Sequence, residues 1–285
     1  MKLQLVVTLV AVLVAGGAFI ANGPLPAVSI WEAAWEGDVS QLHRCLQWGM
    51  NVDAVDSKGQ TPLHSTGLHY WSDVDVVKLL LAWDANVNFR DDDGRIPLHR
   101  TGSREIAELF IAKGADVHAR DCYGRTPLHN KESEKVAELL IAEGADVNAR
   151  DIGGSTPLHL ASAKEVALLL IAKGADVNAR DSEGRTPLHF LDDEDVVAAL
   201  IGKGADVNAK DNNGETPLYR AAESRRIDVV ELFLKYGADP GVRDNTGHTP
   251  LECVQRHPVW KWPGVETPET DNAVIALLRQ YGAKE

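Results

Sequence analysis

A proline-containing block recurs at nearly constant spacing and constrains the fold more than any other feature of the sequence. Its prolines are Pro62, Pro97, Pro127, Pro157, Pro187, Pro217 and Pro250, with spacings of 35, 30, 30, 30, 30 and 33 residues. Self-similarity at such a period, sustained along most of a chain, indicates a repeat array. Each repeat of such an array is stabilised by the neighbours on which it stacks.

The stretch TPLHLASAKEVALLLIAKGADVNARDSE, residues 156–183, shows what one repeat predicts locally. Thr156 and Pro157 are typical of a helix start, since the hydroxyl accepts from free N–H groups and the proline presets φ. The apolar stripe over two short helices is predicted to contain Leu158, Val166, Leu169 and Leu170. Gly174 is expected to end the second helix in the left-handed conformation. Helices this short are expected to be stable only when stacked on further copies.

The TPLH, LLL-x-x-GAD and VNARD blocks resemble the ankyrin repeat, over roughly residues 28–285. The resemblance implies an all-α repeat solenoid in which each repeat supplies a helix-turn-helix and a β-hairpin or loop. It also implies that the protein binds another protein along its concave, hairpin-bearing side. The residues at the structural positions of the repeat are Thr61, Pro62, His64, Pro97, His99, Thr126, His129, Thr156, His159, Thr186, His189, Gly114, Gly144, Gly174, Gly204 and Gly237. In the second repeat Asp84 replaces the helix-ending glycine, which the left-handed region tolerates at some cost.

The repeats predict one elongated domain, residues 28–285, whose members differ in length. Its boundaries are an amino-terminal cap at 28–60, repeats at 61–95, 96–125, 126–155, 156–185, 186–215 and 216–248, and a carboxy-terminal cap with an inserted loop at 249–285. The four repeats between 96 and 215 lack three residues at the end of the first helix, which shortens it by about 4.5 Å. Because this helix end is a frequent contact position in the family, a partner is expected to depend more on the hairpin tips.

Residues 1–27 differ in composition from the repeats. Lys2 precedes an uncharged, mainly apolar run at residues 3–20, which is typical of a signal peptide and also long enough to stay as a membrane anchor. Both alternatives place the solenoid on the non-cytoplasmic side, since no further positive charge occurs before Arg44. Export or membrane anchoring is therefore predicted, and a cytoplasmic location is less favoured.

Cysteine usage points weakly to a reducing compartment. Cys45, Cys122 and Cys253 lie in the first, third and last repeats, where stacking is expected to keep them too far apart for a disulfide. Free thiols are more common in reducing compartments. The signal-like start outweighs this indication.

The overall charge of the chain limits which kinds of molecule it is expected to bind. The chain has 29 Lys+Arg and 42 Asp+Glu, a formal net charge of −13. An acidic chain is poorly suited to neutralise phosphates, so no nucleic acid partner is expected. The acidity is interpreted as a solubility feature, with a basic partner as the alternative. The chain is expected to be a monomer that binds a protein of unknown identity.

Five histidines invite a metal or acid–base interpretation, which the repeat pattern disfavours. They are His64, His99, His129, His159 and His189, all at the fourth position of the TPLH block. Tyr219 and Glu252 hold that position in the last two repeats, which a shared metal site would not permit. The resemblance implies hydrogen bonds from this side chain to the threonine hydroxyl and the neighbouring backbone. A phosphate-binding glycine loop and the GxSxG, HExxH and Cys-x-x-Cys motifs are absent, so neither an enzyme nor a cofactor is predicted.

Two further rows consist of charged residues. They are Arg90, Arg120, Arg150, Arg180 and Lys210, each followed directly by Asp91, Asp121, Asp151, Asp181 or Asp211. Neighbouring ladders of opposite sign are predicted to pair within and between repeats. Exposed pairs of this kind contribute about 0 to 1 kcal/mol each.

The hairpin tips vary between repeats and are predicted to carry binding specificity. Tyr123, flanked by Arg95 and Arg125, is the best candidate for an anchor, because aromatic and arginine side chains concentrate binding energy. Arg185 is a further tip candidate. The remaining candidates lie in insertions and could serve as contact sites or membrane-interface anchors. They are Tyr70, Trp71, Trp260 and Trp262.

These features predict a non-enzymatic interaction scaffold that holds a protein partner on its hairpin and concave side. An accessory or inhibitory subunit that modulates one specific enzyme or toxin remains the alternative. A single 1:1 complex that changes an enzyme's rate would favour the alternative, and several unrelated partners would favour the scaffold.

Overall fold

The computed structural model describes residues 28–66, 74–256 and 268–284. The predicted signal peptide or anchor, residues 1–27, lies outside them. The chain divides into two compact units, Met1–Cys122 and Tyr123–Glu285. Among the described residues, no helix has both the length and the apolar character that a membrane span requires.

The first unit is a stack of helix pairs. Its helices are α1 (Ile30–Glu36), α2 (Val39–Gln47), α3 (Pro62–Ser65), α4 (Val74–Ala82), α5 (Pro97–Arg100) and α6 (Arg104–Ala112). Helix α1 packs on α3 and α3 on α5, while α2 packs on α4 and α4 on α6. First helices therefore stack on first helices and second on second. The apolar residues between them, such as Leu42, Leu80 and Phe110, are completely buried.

The second unit repeats this arrangement. Its elements are α7 (Glu134–Ala142), α8 (Lys164–Ala172), a 3-10 turn (Pro187–His189), α9 (Glu194–Gly202), α10 (Pro217–Glu223), α11 (Ile227–Lys235), α12 (Pro250–Arg256) and α13 (Pro268–Gln280). Leu158 and Leu169, two of the predicted stripe residues, are buried in the seam between neighbouring repeats. The predicted fold class, an all-α repeat solenoid, is confirmed.

The first helix of the short repeats is shorter than the repeat pattern predicts. Residues 127–130 and 157–160 form a single turn, and the next repeat keeps only the 3-10 turn at Pro187–His189. The full-length repeat that follows has the seven-residue helix α10. Three missing residues are nearly one turn of helix, so the short repeats keep at most one helical turn, of which α5 (Pro97–Arg100) is the α-helical case.

The hairpin tips are turns, and no β-strand is assigned within the described residues. Each tip closes on itself, as in the bond from the Asp151 N–H to the Ser155 carbonyl at 2.9 Å. Neighbouring tips are also linked, since the Ser182 N–H donates to the Gly153 carbonyl at 2.8 Å. One such bond per neighbour is too few for a strand ladder but aligns successive tips.

The ends of the second helices follow the sequence prediction. Gly174 has φ of 87°, in the left-handed region. Asp84, which replaces the glycine in the second repeat, also adopts the left-handed conformation, with φ of 59°. The expected tolerance of aspartate at this position is confirmed.

Candidate interaction surface

The TPLH histidines bond to the threonine of their own block and to the residue that directly precedes the next block. The N–H and hydroxyl of Thr156 both donate to Nδ1 of His159, at 3.1 and 2.9 Å. Nε2 of His159 donates to the Arg185 carbonyl at 3.1 Å. His64, His129 and His189 make the same set of bonds. Each of these side chains thus ties the start of its repeat to the residue directly before the next TPLH block, and both ring nitrogens are used in this structural role.

Burial changes the titration of these imidazoles. Desolvation lowers the pKa of His64, His159 and His189 below its ordinary value, although the bond from Nε2 to a backbone carbonyl favours the protonated ring. These three histidines are therefore held in the neutral form, with the proton on Nε2.

Tyr219 and Glu252 preserve parts of this bonding without an imidazole. The Tyr219 hydroxyl donates to the Asp244 carboxylate at 3.0 Å, which ties the start of the repeat to its hairpin tip as the histidine bond does in earlier repeats. Glu252 accepts from the Thr249 N–H at 2.7 Å, in the role of Nδ1. The fourth position is thus a structural one in all these repeats.

The buried tip aspartates hold the hairpin turns through hydrogen bonds to backbone N–H groups. Oδ1 of Asp181 accepts the N–H groups of Glu183 and Arg185, both at 2.9 Å. Its Oδ2 pairs with the Arg185 guanidinium at 2.8 Å. Burial alone would raise the pKa of Asp181, but these hydrogen bonds and the guanidinium hold it below its ordinary value.

The two charged ladders use different partners from the ones predicted. Arg90, Arg180 and Lys210 donate to backbone carbonyls of their own or the next tip. The aspartates are paired with other arginines, and these pairs are Asp91–Arg100, Asp121–Arg95, Asp151–Arg125, Asp181–Arg185 and Asp211–Arg220. A buried carboxylate needs a compensating cation, which explains why these arginines turn inward.

Three predicted contact arginines therefore have structural partners already. Arg95, Arg125 and Arg185 are half-buried, and each neutralises a tip aspartate. Only part of each guanidinium faces solvent. Their contribution to binding stays a prediction.

Tyr123 remains the most prominent predicted anchor. Its side chain is 51% exposed, and the Arg125 guanidinium lies 5.5 Å from its ring centre. Ile152, on the next tip, is 77% exposed, and its N–H donates to the Tyr123 carbonyl at 2.9 Å. These two residues place an apolar pair at adjacent hairpin tips. The other predicted aromatic contacts, Tyr70, Trp71, Trp260 and Trp262, lie outside the described residues.

A second feature, which the sequence did not predict, is a recess where the first helices are shortened. We define the recess by residues 160–165, 190–195 and 220–228. Two cavities of about 130 and 170 Å³ lie on either side of Phe190, Leu191 and Asp192. Phe190 is 39% exposed. The sequence analysis did not select Phe190. The signal that could have identified it is an aromatic residue directly after the TPLH block.

The described residues hold no cluster of His, Cys, Asp and Glu suited to a metal ion. The three cysteines are free thiols, of which Cys45 and Cys253 are buried and Cys122 is exposed. Desolvation raises the pKa of the buried Cys45 and Cys253 thiols.

Comparison with known proteins identifies the repeats. A family model described as "Ankyrin repeats (3 copies)" matches overlapping stretches at residues 30–121, 68–151, 100–181, 130–211 and 166–244. The chain has no match among the curated proteins.

Proposed function

Because the chain belongs to the ankyrin-repeat family, whose repeats generally mediate protein–protein interaction, we propose that it is a non-enzymatic scaffold. It holds a protein partner against the hairpin tips and the concave side of its repeats. The chain by itself is a monomer, a state that analytical ultracentrifugation tests directly.

One observation carries this proposal: the recurring polar residues form hydrogen bonds within and between repeats, whereas exposed residues at the hairpin tips vary. The Thr and His side chains of the TPLH blocks bond to each other and to the residue directly before the next block. At the tips, by contrast, equivalent positions hold Cys122, Ile152 and Ser182. A constant frame with a variable surface is what a binding protein needs, since specificity is encoded in the variable positions.

The proposal is tested by affinity capture with the full-length chain from membrane and periplasmic fractions. Tyr123→Ala is expected to reduce retention of the partner, because it removes an exposed aromatic side chain from the tips. Tyr281→Ala is the matched control, since Tyr281 is also exposed but lies after α13. Neither substitution is expected to change the melting temperature.

Unchanged capture by Tyr123→Ala, together with a large loss of thermal stability, would reject the anchor role. Capture of several unrelated proteins supports the scaffold. A single 1:1 complex that alters the rate of one enzyme or toxin would instead identify an accessory or inhibitory subunit.

We also propose that the chain is exported or membrane-anchored, with the repeats on the non-cytoplasmic side. Lys2 and the apolar run at residues 3–20 support this location. The exposed thiol of Cys122 provides the test, because a membrane-impermeant maleimide should label it in intact cells or spheroplasts. Cys122→Ser is the control for labelling elsewhere. Labelling only after lysis would place the repeats in the cytoplasm.

A further inference from the structure

The recess arises from the change in repeat length after residue 215. In the repeat at 186–215 the first helix is reduced to Pro187–His189, whereas the next repeat has the seven-residue α10. Helix α10 packs on the 3-10 turn and extends beyond it. Arg220, Ala221 and Ser224 form one wall of the 130 Å³ cavity, and Phe190 to Asp192 form the opposite wall.

The second cavity lies one repeat earlier and exists because its floor is made of small side chains. Ala161, Ser162, Ala163 and Ala167 line the 170 Å³ space on the other side of Phe190. A volume of about 150 Å³ is large enough to hold benzene, so by volume each cavity has room for one large side chain. Both cavities are open to solvent, and polar groups such as Ser162 and Arg226 line them beside Phe190 and Leu191.

Phe190 forms a fixed apolar wall between the two cavities. The Arg185 guanidinium covers its ring at 4.7 Å from the centre. The His159 ring meets it edge-on, with 5.9 Å between centroids. Since His159 is itself fixed by its bonds to Thr156 and to the Arg185 carbonyl, little side-chain entropy is left for Phe190 to lose on binding.

The rim of the recess is acidic. Its three segments, 160–165, 190–195 and 220–228, contain seven acidic and four basic residues. Two of the four basic residues are directed to carboxylates outside these segments, since Arg220 binds Asp211 and Arg225 binds Asp271, both at 2.9 Å. The other two, Lys164 and Arg226, pair with Asp193 and Asp192, and Lys235, from outside the segments, pairs with Glu194. Seven carboxylates face these three cations, so an excess of negative charge remains around Phe190.

We propose that the recess binds a basic segment of the partner protein that presents two large apolar side chains about 10 Å apart. The proposal rests on the protein-binding function proposed above and specifies the chemistry of the partner. The two cavities lie at successive repeat interfaces, and packed helices are about 8–10 Å apart. Side chains seven positions apart on a helix are separated by about 10.5 Å, so a basic amphipathic helix matches this spacing. Lysine and arginine on the segment complement the acidic rim and accelerate association.

The probe is a fluorescein-labelled helical peptide with phenylalanine at two positions seven residues apart and lysine at the flanking positions. One matched peptide has glutamate in place of lysine, and a second has alanine in place of phenylalanine. Fluorescence anisotropy with the full-length protein measures binding. Only the peptide with both lysine and phenylalanine is expected to bind, with an affinity that decreases as salt rises.

Two variants of the protein test where the peptide binds. Ser224→Trp fills the 130 Å³ cavity from an exposed position, and Phe190→Ala removes the wall. Each is expected to weaken binding of the peptide about tenfold or more, the effect typical of a central contact. Ile152→Ala is the matched control, because it removes an exposed apolar side chain from a hairpin tip outside the recess. Thermal melts establish that the variants are folded.

The proposal is overturned if the lysine peptide does not bind, if the glutamate peptide binds equally well, or if Ser224→Trp leaves the affinity unchanged. Its failure is distinguishable from failure of the scaffold function. A captured partner that binds Ser224→Trp normally but is lost from Tyr123→Ala leaves the scaffold intact and excludes the recess. Absence of any captured protein partner contradicts the scaffold function itself.

Discussion

His159 shows how one residue connects local structure, stacking and pH dependence. Its imidazole accepts from Thr156 at the start of the repeat and donates to the Arg185 carbonyl, at the hairpin tip directly before the next TPLH block. The bonds require the neutral ring with the proton on Nε2, and burial lowers the pKa accordingly. Protonation of Nδ1 would remove the acceptor that both Thr156 donors use.

We therefore expect the free energy of unfolding to decrease as pH falls below about 6.5, the ordinary pKa of histidine. The unfolded chain takes up protons there while His64, His159 and His189, with their lowered pKa values, do not, so unfolding is favoured. Urea denaturation of the wild type and of His159→Gln at pH 7.5 and 5.5 measures the effect. The variant should lose about 1–3 kcal/mol at pH 7.5 but show a smaller decrease between the two values. If the free energy of unfolding fell equally in the wild type and in His159→Gln between pH 7.5 and 5.5, the neutral form of His159 would not be the source of the pH dependence.

Lys131 is a second residue whose charge opposes folding. It is only 4% exposed, and burial lowers its pKa to about 7. The equivalent position in the next repeat is Ala161. Between pH 7 and the ordinary lysine pKa the unfolded state binds more protons, so the free energy of unfolding rises with pH over this interval.

Lys131→Met is expected to raise the denaturation midpoint at pH 7 and to remove the increase in stability between pH 7 and 9. It keeps an unbranched side chain of similar length while avoiding the cost of burying a charge. Lys135→Met, at an exposed position on α7, is the control and should change neither quantity. A lower midpoint for Lys131→Met at pH 7 would show that the ammonium group is stabilising.

At the scale of elements, two kinds of glycine end the helices and the tips. Gly174 and Gly154 both have positive φ, 87° and 75°. A Cβ on Gly174 would meet no atom within 4 Å, whereas on Gly154 it would lie 3.1 Å from the Ser182 nitrogen. The tip glycine thus has a packing requirement in addition to its backbone conformation.

Gly174→Ala is expected to cost about 1–2 kcal/mol, the strain of a left-handed alanine. Gly154→Ala should cost more, because the neighbouring tip must also shift. Chemical denaturation of both variants measures the difference. Equal losses of unfolding free energy would contradict the close contact between neighbouring tips that the hydrogen bond from Ser182 to Gly153 indicates.

The sequence predicted most of the repeat frame because its determinants are local. Proline at helix starts, glycine at helix ends and the aspartate exception at Asp84 depend on backbone conformation alone. The loss of the first helix at residues 157–160 was underestimated, because the remaining turn is held by the bond from His159 to the Arg185 carbonyl, 26 residues away in sequence. Such support depends on a contact distant in sequence and not on helix propensity.

The candidate surface was less predictable, since it depends on stacking. Arg125 was selected as a contact residue, but its guanidinium lies 3.4 Å from Asp151, which is 26 residues away in sequence. Only the stacked repeats bring these groups together. Likewise, Phe190 is exposed because the turn that carries it is shorter than α10. Tyr123 was identifiable because it lies in the middle of a tip turn, where its side chain is 51% exposed.

At the scale of the whole molecule, a uniform frame displays surfaces that differ from repeat to repeat. The chain is acidic overall, at −13. Its described apolar exposures include the tip pair Tyr123 and Ile152, and Phe190 in the recess. Exposed aromatic side chains elsewhere, Trp83 beside His43 and Tyr281 after α13, provide references for any contact with a partner.

Hydroxyl-radical footprinting of the full-length chain, alone and with its captured partner, tests the central claim most directly. Exposed aromatic rings are oxidised, and a bound protein shields those it covers. The hairpin and concave side is the binding face if oxidation of Tyr123 and Phe190 falls while Trp83 and Tyr281 react as before. Protection of Trp83 or Tyr281, with Tyr123 and Phe190 still reactive, would contradict it.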